Sequence, residues 1–175
     1  MLLNKYPREV WDGHRNLGEM ARFWLERHQG FRELGRMLEK ATTEFREQRI
    51  AAAEFRAFFG PRLQFFLQNL EGHHQIEDLH YFPVFRAAES RLVKGFDVLE
   101  RDHEAIHAQI LQVVDAANSL LGKLDSDDSI RRAATEDYAA AGEGLLKSLS
   151  RHLGDEEDLI VPVILDQSER ELFRT

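Results

Sequence analysis

Along the chain, apolar positions recur at alternating steps of three and four in four separate stretches, the period of helices that bury one face in a bundle. The first stretch carries Leu17, Ala21, Trp24, His28, Phe31, Gly35 and Leu38. The second carries Phe55, Phe59, Arg62, Phe66, Asn69, His73, Glu77, His80 and Val84. The third runs through Leu92, Phe96, Leu99, His103, Ile106, Ile110, Val113, Ala117, Leu120 and Leu124, and the fourth through Tyr138, Gly142, Leu145, Leu149, His152, Glu156, Leu159 and Val163. A polar run over 42–50 and the turn Asp125-Ser126-Asp127-Asp128 separate neighbours, and Ser90 is placed to cap the third helix. Gly60-Pro61 is expected to kink or interrupt the second helix, and Pro83 and Pro162 to bend the second and fourth near their ends. Short connections imply antiparallel neighbours. The pattern therefore predicts an all-α fold, an antiparallel up-down-up-down four-helix bundle. It forms a single domain over 1–175 with its core at about 15–165, and the first dozen and last several residues are peripheral.

The seams carry polar residues where a core should be apolar. Each of the four holds a histidine, and the second and fourth also hold a glutamate. A buried carboxylate costs several kcal/mol unless something compensates it, and a cation does so. His73 and Glu77, His103 and His107, and His152 and Glu156 are each four apart, so both members of a pair lie on one helix face. Imidazoles with carboxylates suit iron, manganese or zinc, and the lack of thiolate disfavours softer ions. The ligand pattern also repeats. His73 and His152, Glu77 and Glu156, Pro83 and Pro162, and His28 and His107 are all separated by 79 positions. The repeat fails at His103, whose counterpart is Trp24. One ion would then have one protein ligand fewer, leaving a position for a small molecule such as dioxygen.

Composition narrows the reading. The net charge is −8 and no cluster of Lys or Arg runs along a helix, so nucleic acid is not an expected partner. There is no cysteine, which removes disulfides, iron–sulfur clusters and thiolate metal sites and is compatible with a reducing cytoplasm, the expected location. No apolar run approaches the ~18–20 residues of a spanning helix, and the N-terminus does not read as a signal peptide, so no membrane association is expected.

The segments HHQIEDLHYFP (73–83), DHEAIH (102–107) and HLGDEEDLIVP (152–162) resemble the hemerythrin-like, or HHE cation-binding, domain family, and WLERHQGFRELG (24–35) resembles the first helix of its bacterial members. The resemblance implies two iron ions joined by an oxo or hydroxo bridge. By it, His103, His107 and His152 hold one ion, His28 and His73 hold the other, and Glu77 and Glu156 bridge them. Glu156 is chosen over Glu157 because the repeat pairs it with Glu77. The oxygen carriers of the family have His-x4-Asp at this point, a departure that sets oxygen transport aside as the expected role. The implied function is a non-haem di-iron protein that binds dioxygen or a related small molecule, nitric oxide or peroxide. A peroxide-degrading, catalase- or peroxidase-like oxidoreductase and an iron-storage or sensing protein are the alternatives. His80, three after Glu77, is a candidate additional ligand or a hydrogen-bonding neighbour of the open site, and Tyr81 a neighbour of the ligands. His74 and Asp78 fall one position off the seam and are read as orienting groups or surface residues. His14 is ~21 Å from His28 along a helix and cannot share the site.

Overall fold

A computed structural model describes residues 2–174, and every regular element among them is helical. In chain order the helices are α1 (Leu2–Lys5), α2 (Glu19–Arg46), α3 (Ala52–Ile76), α4 (Phe82–Ala88), α5 (Val93–Gly122), α6 (Asp128–Gln167) and α7 (Glu169–Leu172). A π turn over Glu77–Tyr81 joins α3 to α4. The fold is an all-α helical bundle whose four long helices are α2, α3, α5 and α6. No helix among the described residues is long and apolar enough to cross a membrane.

Three of the predicted seams are the buried faces of their helices; on α6, Tyr138, Leu145, Leu149, His152, Glu156 and Val163 are buried, with Gly142 and Leu159 half-buried. On α2, Ala21, Trp24, His28, Phe31, Gly35 and Leu38 are all buried, and on α5 so are Phe96, Leu99, His103, Ile106, Ile110, Val113, Ala117 and Leu120. On α3 the buried stripe is instead Phe55, Phe59, Leu63, Phe66, Leu67, Leu70, His74 and Glu77. Arg62 is exposed, its guanidinium donating to the Phe58 carbonyl, and the Asn69 amide turns back to Phe65. The expected seam therefore ran about one position to the side of the observed one over this helix.

The prolines are accommodated in three ways. Pro61 lies inside α3 without interrupting it. The proline removes the donor to the Ala57 carbonyl, but both residues are exposed, so the freed acceptor is on the solvent side. Ahead of Pro83 the backbone widens, and the Phe82 N–H donates to the Glu77 carbonyl five residues back. A proline ring crowds the carbonyl four residues before it, and a π turn relieves that contact. The widened turn contains one extra residue. The buried face consequently passes from Glu77 to Phe82 and Phe85, leaving His80 exposed and Val84 half-buried. Pro162 sits within α6, which continues to Gln167. A 3-10 turn over Ser90–Leu92 leads into α5, and Glu89 caps that turn: its carboxylate accepts the Arg91 N–H at 3.1 Å.

The chain divides into two compact units, one of residues 1–30, 73–103 and 151–175 and the other of residues 31–72 and 104–150. The first has a core of Trp11, Trp24, Phe82, Phe85, Phe96, Leu99 and the run Ile160–Leu165. A Cβ on Gly95 would come within 2.9 Å of Leu159, so glycine there lets α5 and α6 approach closely. The N-terminal residues are not peripheral. Trp11 is buried and donates to the Tyr6 carbonyl, and Tyr6 donates to Asp166. From α7, Glu169 accepts the Ala21 N–H at 2.7 Å in the first turn of α2. The second unit has an aromatic core in which Phe45 stacks on Phe55, Phe55 on Phe59, and the Tyr138 ring meets Phe59 edge-on. Phe45 pairs with Phe55 while Phe31 pairs with Phe66, so α2 and α3 run antiparallel in this unit.

Candidate metal centre

In the first unit, seven side chains from α2, α3, the π turn, α5 and α6 converge in two groups. His28, His73, Glu77 and Glu156 form one, and His74, His103 and His152 the other; within each group one ligand atom per residue lies within 4.8 Å of the rest. The rings face each other through their Nε2 atoms. His28 and His73 are 3.0 Å apart at Nε2, and so are His103 and His152. The glutamates lie between the groups. Glu77 places Oε1 3.0 Å from His73 Nε2 and Oε2 3.7 Å from His103 Nε2, and Glu156 Oε2 is 3.5 Å from His28 Nε2 and 3.6 Å from His152 Nε2.

Two of the other ring nitrogens meet carboxylates. His28 Nδ1 is 3.0 Å from Glu157 and His103 Nδ1 is 2.8 Å from Asp78. His152 Nδ1 lies 3.8 Å from Asp102, beyond hydrogen-bond range. An acid on Nδ1 fixes the tautomer, so that Nε2 carries the free lone pair pointing inward. Glu157 is itself held by Arg8, whose guanidinium also reaches Asp158 and the Gly154 carbonyl. Asp102 is held by Arg151 at 2.8 Å. The Trp24 indole N–H donates to Glu77 Oε1 at 2.6 Å and its ring packs on His28. Phe82 stacks on His103, and His74 stacks on the same ring at 4.0 Å.

The electrostatics are unusual for a protein interior. Burial lowers His152 to about 3, lowers His73, and takes His74 well below the usual histidine range, so these rings are neutral and can ligate. Burial, reinforced by the Glu77 charge, pushes Glu156 well above the usual carboxylate range. Burial works to raise Glu77 too, but His28 and His73 beside it hold it well below that range. Both Glu156 oxygens, Glu77 Oε2 and His74 Nε2 are buried without a hydrogen-bond partner among the described residues. Such groups cost stability when left uncompensated. Orphaned carboxylate oxygens facing inward-pointing imidazole lone pairs are a donor set for a divalent or trivalent cation.

Of the residues singled out in the sequence, His28, His73, Glu77, His103, His152 and Glu156 are in these groups. His107 is in neither. Its side chain is 52% exposed and its Nδ1 is 3.3 Å from Glu71. The buried stripe of α5 passes from His103 to Ile106 and Ile110, and position 107 falls beside it. His74, read as one position off its seam, is buried and stands with His103 and His152. The spacing Leu63, Leu67, Leu70, His74 carried that signal. His80 is exposed, Tyr81 packs against Phe173 and His14 against Tyr6, so none of the three is in the groups. The roles of Glu157 and Arg8 beside His28 have no signature in the sequence, because partners so distant along the chain leave no periodic pattern.

A helical bundle with converging buried histidines and glutamates defines a class of cation-binding domain. The sequence profile described as the hemerythrin HHE cation binding domain matches residues 19–164, and the chain belongs to that family. No curated protein and no solved structure matches the chain significantly.

Proposed function

We propose that the protein holds two iron ions in this centre and binds dioxygen or a related small molecule, nitric oxide or peroxide, at one of them. His74, His103 and His152 would hold one ion, His28 and His73 the other, and Glu77 and Glu156 would bridge the two. The observation that carries the reading is Glu156: fully buried, both oxygens unpartnered, and within 3.6 Å of a histidine from each group. The division of three histidines and two keeps the asymmetry expected from the sequence, with His74 in the place assigned to His107. At the two-histidine ion, Trp24 occupies the position where the repeat would put a third imidazole, and its N–H holds the bridging Glu77 in place. A bound iron pair would supply electrons reversibly to the small molecule. The chain's own contribution is to hold the Nε2 atoms of His28 and His103 inward through Glu157 and Asp78, to keep His73, His74 and His152 neutral, and to exclude water with Trp24 and Phe82.

The test is metal analysis of tag-free protein together with its optical spectrum, taken reduced without oxygen and again after air is admitted. About two irons per chain and a reversible near-ultraviolet and visible change are expected of an oxygen-responsive di-iron pair. A protein that takes up no transition metal after reconstitution, or whose iron spectrum ignores oxygen, nitric oxide and peroxide alike, would sink the reading.

A further inference from the structure

A second site of different chemistry lies in the unit formed by residues 31–72 and 104–150. A cavity of about 130 Å³ opens between α2 and α6, and none of the clustered histidines lines it. Leu38, Phe66 and other apolar side chains make most of its wall, and Thr42 and Tyr138 are among the polar residues lining it. Thr42 has spent its proton, donating from Oγ1 to the Leu38 carbonyl at 2.9 Å. Tyr138 is 4% exposed, and its hydroxyl has no hydrogen-bond partner among the described residues. Burial raises the phenol above its usual range, so it stays a neutral O–H with a proton to give. Tyr138 lines the cavity, so this donor is free for an acceptor that enters it. The space beside it is kept by Gly142: a Cβ there would lie 3.7 Å from the Tyr138 hydroxyl, and anything longer would enter the cavity.

Size and charge narrow the occupant. The volume is close to that of engineered apolar cavities of ~150 Å³ that admit benzene. Among the described residues that line it, the one cation, Arg46, already faces Glu136, and Glu39 and Glu143 line the same cavity. That arrangement offers an anion no free counter-charge. We propose that this cavity is a binding site for a small uncharged ring-sized molecule bearing one hydrogen-bond acceptor, which the Tyr138 hydroxyl engages.

Two probes of similar shape separate the parts of this proposal. Cyclohexanone carries the acceptor and methylcyclohexane does not. Binding of each to the full chain is measured by titration calorimetry and by amide shifts at Thr42 and Gly142. Cyclohexanone is expected to bind more tightly, by roughly five-fold for one net hydrogen bond. Tyr138→Phe should erase that preference while leaving hydrocarbon binding, and Gly142→Leu should abolish both. If the leucine variant does not fold, Gly142→Ala, whose added methyl would make ordinary contact with the tyrosine, is expected to weaken both probes together. No shift at Thr42 or Gly142 with either probe would overturn the site. A preference for cyclohexanone that survives Tyr138→Phe would overturn the role of the hydroxyl.

Discussion

Histidines 74 and 107 differ in burial, and under the proposed reading that difference assigns the ligand role to His74. His74 is buried, its Nε2 is unpartnered and it stacks on His103; His107 is half-exposed beside Glu71. His74→Ala is therefore expected to drop iron from about two per chain to about one or fewer, while His107→Ala leaves metal content unchanged, since exposed ion pairs contribute ~0–1 kcal/mol. Metal analysis of the two variants checks this, and the reverse outcome would restore the ligand set implied by the family resemblance. The same buried rings set a pH dependence for the metal-free protein. His152, at about 3 when folded against 6.5 ordinarily, stays neutral while the unfolded chain takes up a proton below about 6.5. His73 and His74 shift in the same direction, so each contributes a loss of stability as pH falls from about 6.5. Glu156 acts oppositely: raised above 4.5, it holds a proton when folded, so its share of stability grows as pH falls toward 4.5. Three histidines outweigh one glutamate, and the metal-free protein should melt several degrees lower at pH 5 than at pH 7, ~1 kcal/mol being worth ~2–4 °C at this size. A melting point that rises on acidification would mean that Glu156 dominates.

Helix by helix, the sequence was legible where one apolar stripe stood alone and misleading where two competed. Helices α2 and α5 each have a single stripe, and their buried faces were those expected. Helix α3 is apolar nearly all round, with Phe58 half-buried and Phe65 exposed, so two stripes about one position apart fit its pattern. The stripe through Arg62 and Asn69 ends on His73; the buried one through Leu67 and Leu70 ends on His74. The second obstacle was the π turn, which adds one residue to the face and cannot be read from a period of 3.6. It gives a prediction about chain length. Deleting Leu79, itself 70% exposed, leaves Glu77, Phe82 and Phe85 on one α-helical face at the regular spacing of four and three. Deleting Val98, also exposed, rotates one end of the α5 seam by ~100° against the other. The first deletion should keep cooperative unfolding and most of the helical circular dichroism; the second should lose both. Equal damage from the two would mean that the widened turn is itself required for folding.

On the scale of the whole molecule, all seven clustered side chains lie in one compact unit, and the aromatic core of the other contains none of them. Metal binding should therefore stabilise the chain unevenly. Without a cation, the first unit buries the unpartnered Glu156 carboxyl, Glu77 Oε2 and His74 Nε2 in its interior. A cation bound to the native state and not to the unfolded chain adds RT ln(1 + [L]/Kd), ~4 kcal/mol at a thousandfold excess over Kd. Chelation should then lower the melting temperature by roughly 10 °C for a domain of this size. Amide hydrogen exchange resolves where the loss falls. Protection should drop on chelation at 73–103 and 151–167, where ligands and buried carboxylates meet, and change much less over 52–66 and 134–149, which are held by Phe55, Phe59 and Tyr138. A uniform loss of protection would mean that the chain opens only as one cooperative body, with metal contributing to every residue alike. No loss at all would mean that the protonated Glu156 and neutral histidines are stable without an ion, and that the centre is not what holds this unit together.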